Sequence, residues 1–441
     1  MKTININDAL DQATLTKNHF VILLICTLCM IIDGFDVQAI SFVAPTLISE
    51  WGVDKQSFGS VFGAGLLGMA LGALLLAPLA DRFGRKPILM IAMIILAISM
   101  FITIYAESIV FLIVVRLIAG FSLGAIVPNS VALAGEFSPL KMRVTIMMII
   151  SSGFILGGVI GGAFASQLIP LLGWQSVFIV GAIAPLLLCI WMWHRLPESL
   201  LFLTIKQKQP QVISSWLKKL GVTSLDSQNI RYVTHTQPNQ ASKITQLFQN
   251  GLALGTVLLW IILFMNLLAT FFLANWLPIL ISQAGYAANF AVWAGATFWF
   301  GGLIGNIVLG RMIDRFGFGS CLLVIFILGI LFIYAIGHSI SNLPLVFTFI
   351  GLAGFCILGA QTALNALAAV YYPTECRSTG AGWALGIGRL GSIFGPVIGG
   401  ILIGMGLPMT SLFISFTIPI LIAAICIFIF WHIGSLPVTN T

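Results

Sequence analysis

Twelve apolar runs, six on each side of a single hydrophilic stretch, leave this chain little choice of fold. A membrane-spanning helix takes about 20 mostly apolar residues, and runs of that length centre near residues 31, 69, 97, 121, 156, 184, 263, 300, 330, 355, 392 and 420. A bilayer core has no water to satisfy backbone N–H and C=O groups, so each run must form a helix. The hydrophilic stretch runs from about Arg195 to Asn250 and carries Lys206, Lys208, Lys218, Lys219, Arg231 and Lys243. The chain reads as an all-α membrane protein with 12 transmembrane helices in two six-helix bundles, 1–194 and 251–441, joined by a linker over 195–250.

Positive charge sets the orientation. With the N-terminus inside, seventeen of the 20 Lys and Arg residues fall in inner loops and one, Lys55, in an outer loop; Arg116 and Arg389 lie inside spans. That asymmetry predicts cytoplasmic N- and C-termini and a cytoplasmic linker. Charged residues make up only 7% of the chain against about 25% in soluble domains. The net charge of +7 is scattered between apolar segments, which excludes a nucleic-acid surface. Cys26 and Cys29 have half the spacing of a zinc site but no second half, so no metal and no cofactor are expected. No nucleophile and base, phosphate loop or cofactor motif points to an enzyme. The first apolar run is too long for a signal sequence, holds two acids and lacks a small-residue cleavage site, so it reads as a retained span.

The halves repeat one another. DRFG at Asp81 to Gly84 returns at Asp314 to Gly317, and a Pro-x-x-x-Arg pattern at Pro139 to Arg143 returns at Pro373 to Arg377. GGVIGG (Gly157 to Gly162) and GPVIGG (Gly395 to Gly400) are a third match. Such duplication is the architecture of carriers that rock two bundles about a midplane site.

Charges inside the spans point to what is carried. Aspartate at a helix centre costs about 2.5–3.5 kcal/mol in a bilayer, yet Asp33 and Asp36 sit one turn apart in the first span. Arg116 in the fourth span lies at a similar height to Asp36, within about one turn. Asp36 or Asp33 paired with Arg116 has two readings: a structural bond that lets both charges exist in the membrane, or a proton switch in which making and breaking the pair loads and releases a proton. Arg389 lies about ten residues into the eleventh span, where the first half has an uncharged residue near Ser151. A permanently charged, planar guanidinium suits a carboxylate, so Arg389, with Arg116 second, is the candidate anchor for an anionic substrate. Asn266 in the seventh span and Gln361 and Asn365 on one face of the tenth are candidates for polar contacts, with Asn275 nearby. Phe35, Phe271, Trp293, Trp299 and Phe300 are candidates for stacking or for ordinary packing.

Several motifs carry a family resemblance. LADRFGRKP (Leu79 to Pro87) and RLIAGFSLGA (Arg116 to Ala125) resemble signatures of the major facilitator superfamily, although Ala119 stands where glutamine is usual. DGFD in the first span, GEFSP (Gly135 to Pro139), YPTECRSTGAGW (Tyr372 to Trp383) and GRLGSIFGP (Gly388 to Pro396) resemble the aromatic acid:proton symporters, importers of benzoate-type acids such as 4-hydroxybenzoate. The resemblance covers nearly the whole chain. It implies the major facilitator fold in a bacterial inner membrane, with the first and fourth helices adjacent around the cavity. It also implies alternating access, protons and a small aromatic carboxylate as partners besides the lipid bilayer, and function as a monomer.

Asp81, Arg82, Arg85 and Lys86 either anchor the topology or form a latch, with Asp81 meeting a helix N-terminus or Arg143 to hold the inner gate shut. Asp314 and Arg315 repeat this in the second half. In such carriers Glu136 joins the network, and Glu375 and Arg377 are its second-half gating candidates. Other functions fit less well. LPES (Leu196 to Ser199) is shared with sugar carriers, but their glutamine-rich seventh helix is missing. A drug:proton antiporter would use the same fold but usually has Gly-Pro in the fifth span, where Gly158 stands here. A non-transporting sensor would need a larger cytoplasmic domain than this linker.

Overall fold

The computed structural model describes all residues except 1, 12–14, 208, 223–229, 235–243, 250, 374–375 and 433–441. Glu375 lies outside the described residues. Twelve helices long and apolar enough to cross a membrane run Lys17–Trp51, Ser57–Leu75, Arg85–Thr103, Ile109–Glu136, Thr145–Leu172 and Gln175–Arg195, then Leu252–Gln283, Ala288–Phe316, Phe318–His338, Leu343–Tyr371, Thr379–Gly404 and Met409–His432. They match the twelve expected spans and are numbered first to twelfth below. Because successive helices reverse direction, the N-terminal segment and the linker lie on one face, termed the linker face, and the 52–56 and 284–287 turns lie on the far face.

Apolar side chains gain nothing by leaving lipid for a helix interface, so membrane helices are held by close backbone approach at small residues. The second and fourth helices interlock in this way. A Cβ at Gly68 or Gly72 would collide with the backbone of Leu117 or Phe121, and one at Gly120 or Gly124 with that of Gly65 or Met69. The eighth and tenth helices repeat this seam, with Gly301 against Gly351 and Gly354 against Phe298. The first and fifth helices meet at Gly34 and Gly157, and the seventh and eleventh at Gly391 and Gly395. The duplication read from short motifs therefore extends to packing. Gly120→Val is expected to destabilise the protein by about 1–3 kcal/mol, read as a lower melting temperature in detergent.

The two halves touch from mid-membrane to the far face. Ser41 Oγ of the first helix donates to Asn275 Oδ1 of the seventh, 2.7 Å away and buried. Phe62 meets Trp276 edge to face at 5.4 Å, and Phe154 meets Trp299 at 5.6 Å. Gly59 and Gly63 lie against Pro396 and Val397, and Gly162 against Ala296. Toward the linker face, a Cβ at Gly382 or Gly386 of the eleventh helix would meet nothing within 4 Å. The described contacts between halves thus seal the far side.

The linker face carries more structure than an apolar-run reading anticipates. Strand Lys2–Asn5 pairs in parallel with strand Ile230–Val233 in a two-stranded sheet. Helices Ile6–Asp11, Leu200–Ile205 and Pro210–Lys219 lie beside it, the last burying Ile213 and Leu217. The Lys219 carbonyl accepts from Asn18 Nδ2 at 2.9 Å, tying the linker to the start of the first helix.

Candidate functional site

The first helix places its two acids in different surroundings one turn apart. Asp36 Oδ1 accepts from Arg116 Nη1 at 3.0 Å, with the two side chains only 4% and 3% exposed. The rest of the guanidinium is caged: Nη2 donates to Thr103 Oγ1 at 2.9 Å and the group lies 5.3 Å from the Phe178 ring centroid. Thr103 in turn donates to the Ser99 carbonyl at 2.8 Å. The first, third and sixth helices that surround the pair meet at Gly181, where a Cβ would run into Met100 and Phe35. A cavity of about 30 Å³ adjoins the pair, lined by Asp36, Arg116, Phe62, Gly65, Gly120 and Asn275 among others.

Asp33 has no such partner. It is fully buried, and neither carboxylate oxygen has a hydrogen bond. Arg389 on the eleventh helix, the candidate substrate anchor, belongs to the other half. The two are not an ion pair; among the described residues, pairs within 4.0 Å are Arg85–Glu136, Arg116–Asp36 and Arg143–Asp11. Arg389 is half-buried, and among the described residues its guanidinium has no hydrogen-bond partner. Each half therefore holds, within its spans, a charged group without a hydrogen-bond or ion-pair partner among the described residues, where an isolated charge is costly. An added anion or a proton would satisfy one of them.

The amide residues form a directed chain. Asn266 Nδ2 donates to the Ile357 carbonyl at 3.3 Å and to Gln361 Oε1 at 2.8 Å, and Gln361 Nε2 donates to Asn365 Oδ1 at 3.0 Å. The backbone carbonyl can only accept, which fixes every amide in this order. Asn365, at the end of the chain, is exposed, whereas Asn266 Oδ1 is buried without a partner. The aromatic candidates are not gathered with them. Phe35 packs on Gly161 and Gly181 between the first, fifth and sixth helices, and Trp299 packs on Gly158. Phe271 is buried, while Trp293 and Phe300 are exposed.

At the linker face, Glu136 accepts from Arg85 Nη1 at 3.0 Å, Ser199 Oγ at 2.7 Å and the Leu201 amide at 2.8 Å. Glu198 caps the third helix, accepting from the Arg85 and Lys86 amides at 2.8 and 3.3 Å. Leu196 to Ser199, legible only as a motif shared with sugar carriers, here fastens the third, fourth and sixth helices together. Glu198→Ala is expected to cost about 0.5–2 kcal/mol, lowering the melting temperature in detergent. Asp81→Ala, at an exposed position, should change stability by less than about 0.5 kcal/mol in the same assay.

The expected meeting of Asp81 with Arg143 is not formed in this conformation. Arg143 opens the helical turn that leads into the fifth span, beside the end of helix Ile6–Asp11, so Asp11 takes the guanidinium, which also donates to the Ser138 carbonyl at 3.3 Å. Asp81 and Arg82 are exposed, as are Asp314 and Arg315 in the second half. Arg377, also exposed, donates through Nε to the Tyr372 carbonyl at 3.3 Å.

The chain has many relatives of known name. The gallate transporter of Pseudomonas putida is 38% identical over 424 residues, 96% of this chain and 94% of that protein. The 4-hydroxybenzoate transporter PcaK of the same organism is 34% identical, covering 96% of this chain and 95% of its own. The benzoate transport protein of Acinetobacter baylyi is 30% identical, covering 97% and 93%. Among solved structures, a bacterial homolog of the human lysosomal transporter Spinster, inward-facing and occupied, matches with a TM-score of 0.75 at 15% identity, covering 97% of this chain and 100% of that one. The partially occluded, inward-open xylose transporter XylE of E. coli matches with a TM-score of 0.71 at 16% identity, covering 95% and 98%. These two show the fold alone. The family model for the Major Facilitator Superfamily matches residues 26–292 and 259–439. With both the model and these relatives spanning nearly its whole length, the chain belongs to the Major Facilitator Superfamily, in the same family as the gallate, 4-hydroxybenzoate and benzoate transporters.

Proposed function

We propose that this chain imports a small aromatic carboxylate of the benzoate or hydroxybenzoate type together with protons, by alternating access and as a monomer. It is a transport protein rather than an enzyme, and a multi-pass protein of the bacterial inner membrane. The observation that carries the reading is Arg389, a half-buried guanidinium within the eleventh span that has no hydrogen-bond or ion-pair partner among the described residues. It can bind a carboxylate with two parallel N–H···O bonds. The names of the relatives support an aromatic ring on that carboxylate.

In this reading the bundles 1–194 and 251–441 rock about the site, with the linker 195–250 on the cytoplasmic side. Contacts between the halves on the far side and open space beside Gly382 and Gly386 support an inward-facing state in this reading. The solvated Asp81, Arg82, Asp314, Arg315 and Arg377 are then latch residues released on the open side, to be engaged when that face closes. Arg85 and Glu136 hold the first bundle's inner ends together in this state. Asp33, Asp36 and Arg116 handle the proton, and the Asn266–Gln361–Asn365 chain offers polar contacts to ring substituents.

The test is uptake of radiolabelled gallate, 4-hydroxybenzoate and benzoate into energised vesicles, with and without an uncoupler. Accumulation of one of these acids that the uncoupler abolishes supports the reading. Absence of uptake, with proton-driven extrusion of amphiphilic dyes, would make the protein an exporter instead.

A further inference from the structure

We infer that the Asn266–Gln361–Asn365 chain reads ring substituents with a fixed polarity: it offers an N–H donor, Asn365 Nδ2, and so selects substituents that accept a hydrogen bond. This rests on the transport reading above and narrows its substrate class to benzoates that carry an oxygen acceptor on the ring.

A free amide side chain can exchange its oxygen and its NH2 by a half-turn and serve a donor or an acceptor equally. Here one end of the chain blocks that exchange. The Ile357 carbonyl can only accept, so Asn266 turns its Nδ2 toward it, at 3.3 Å. The second hydrogen on that nitrogen goes to Gln361 Oε1 at 2.8 Å, which leaves Gln361 Nε2 to donate to Asn365 Oδ1 at 3.0 Å. In the reversed order Asn266 Oδ1 would face the Ile357 carbonyl, acceptor against acceptor. The last bond turns Asn365 Oδ1 toward Gln361 and its Nδ2 away, and among the described residues that nitrogen has no partner. Asn266 Oδ1 is also without a partner, but it is sealed from solvent and out of a ligand's reach.

The chain stands at the level of the candidate anchor. Gly388 packs on Leu263 and Leu267, and Gly391 on Phe264, so the seventh helix brings Asn266 to the height of Arg389. From there the chain runs toward the linker face and ends at the exposed Asn365. Gly382 and Gly386, about two turns and one turn from Arg389 on the same face of the eleventh helix, leave open space on that side as well. The tenth-helix face that bears Gln361 also bears Gly354, which lies against Phe298 of the eighth helix. It therefore looks between the seventh and eighth helices, both of which meet the first half, at Asn275 with Ser41 and at Trp299 with Gly158. An acid held at Arg389 has the chain beside it, with the free N–H on the open side. A ring hydroxyl or methoxy oxygen can take that hydrogen, whereas an alkyl group displaces its water and returns no bond.

Competition against uptake of a labelled acid by the full-length protein in proteoliposomes tests this, the label being whichever of gallate, 4-hydroxybenzoate or benzoate the wild type carries. The competitors are benzoates matched for size at the meta and para positions, hydroxyl against methyl and methoxy against ethyl. At one of these positions the wild type is expected to bind both oxygen-bearing members about threefold to tenfold more tightly than their alkyl counterparts. Methoxy decides the polarity, since it accepts but cannot donate. Preference for hydroxyl without preference for methoxy at either position overturns the assignment. Asn365→Leu is expected to abolish both preferences while holding unsubstituted benzoate within about twofold of wild type. Preferences that survive this change, or an equal loss for every competitor, overturn the assignment as well. Asn266 acts as a positioning residue, so Asn266→Leu is expected to lose the methoxy preference and keep the hydroxyl one, because the released amides can turn either way. Equal weakening of all competitors would reduce Asn266 to a structural role. The wild-type comparison needs no variant and stands even where the buried Asn266→Leu fails to fold. Absence of uptake of every label by the wild type would overturn the transport reading itself, and is apparent before any competitor is added.

Discussion

Replacing Arg389 with alanine is expected to reduce uptake by about a hundredfold to a thousandfold, the largest loss for any single substitution at the site. A hydrogen bond to a charged group contributes about 1.5–3 kcal/mol, and a bidentate carboxylate clamp loses two of them at once. Each 1.4 kcal/mol is a factor of about ten in affinity. Arg389→Lys keeps the charge without the planar fork and is expected to recover only part of the loss. Initial uptake rates at several substrate concentrations, normalised to the amount of protein in the membrane, check both variants.

Arg116→Ala is expected to have the largest effect on stability. Removing one partner of a buried ion pair costs about 3–5 kcal/mol, because the other charge is left uncompensated. The lost stacking on Phe178 adds about 0.5–2 kcal/mol. The variant should therefore melt well below wild type in detergent and show little uptake. Asp36→Asn should also destabilise, leaving the guanidinium without its acid. The double variant Asp36→Asn with Arg116→Gln buries no charge at all, so it should be more stable than either single variant, with strong non-additivity as expected for residues in contact. Melting temperatures of the four proteins give this cycle directly.

The fold was legible because a bilayer turns hydrophobic length into helices, and each of the twelve runs has only one way to satisfy its backbone. A pairing of Arg116 with Asp36 or Asp33 was legible as well, from similar depth in lipid and from the adjacent first and fourth helices that the resemblance implies, but not that Asp36 is the partner. Arg389 stood out as a cation breaking an internal repeat. What surrounds these residues was not legible. Thr103 and Phe178 resemble any threonine or phenylalanine in a lipid-facing helix, and only helix rotation turns them toward Arg116. Asp11 lies in a six-residue helix outside every span, so nothing in its neighbourhood marks it as the partner of Arg143. Strands of four residues at Lys2–Asn5 and Ile230–Val233 are too short and too far apart to announce their pairing. The difference between Asp33 and Asp36 is likewise invisible to spacing, because it depends on which of two acids on one helix the Arg116 guanidinium reaches.

The central claim is that a carboxylate bound at Arg389 is coupled to a proton. Calorimetric titration of the purified protein with the transported acid, repeated in buffers of different ionisation enthalpy at a pH where the acid is a monoanion, measures it most directly. The account predicts uptake of about one proton with each acid bound, since linkage requires the protonated state to bind more tightly, and loss of the binding heat in Arg389→Ala. Binding without proton uptake, or binding that survives Arg389→Ala, would contradict it.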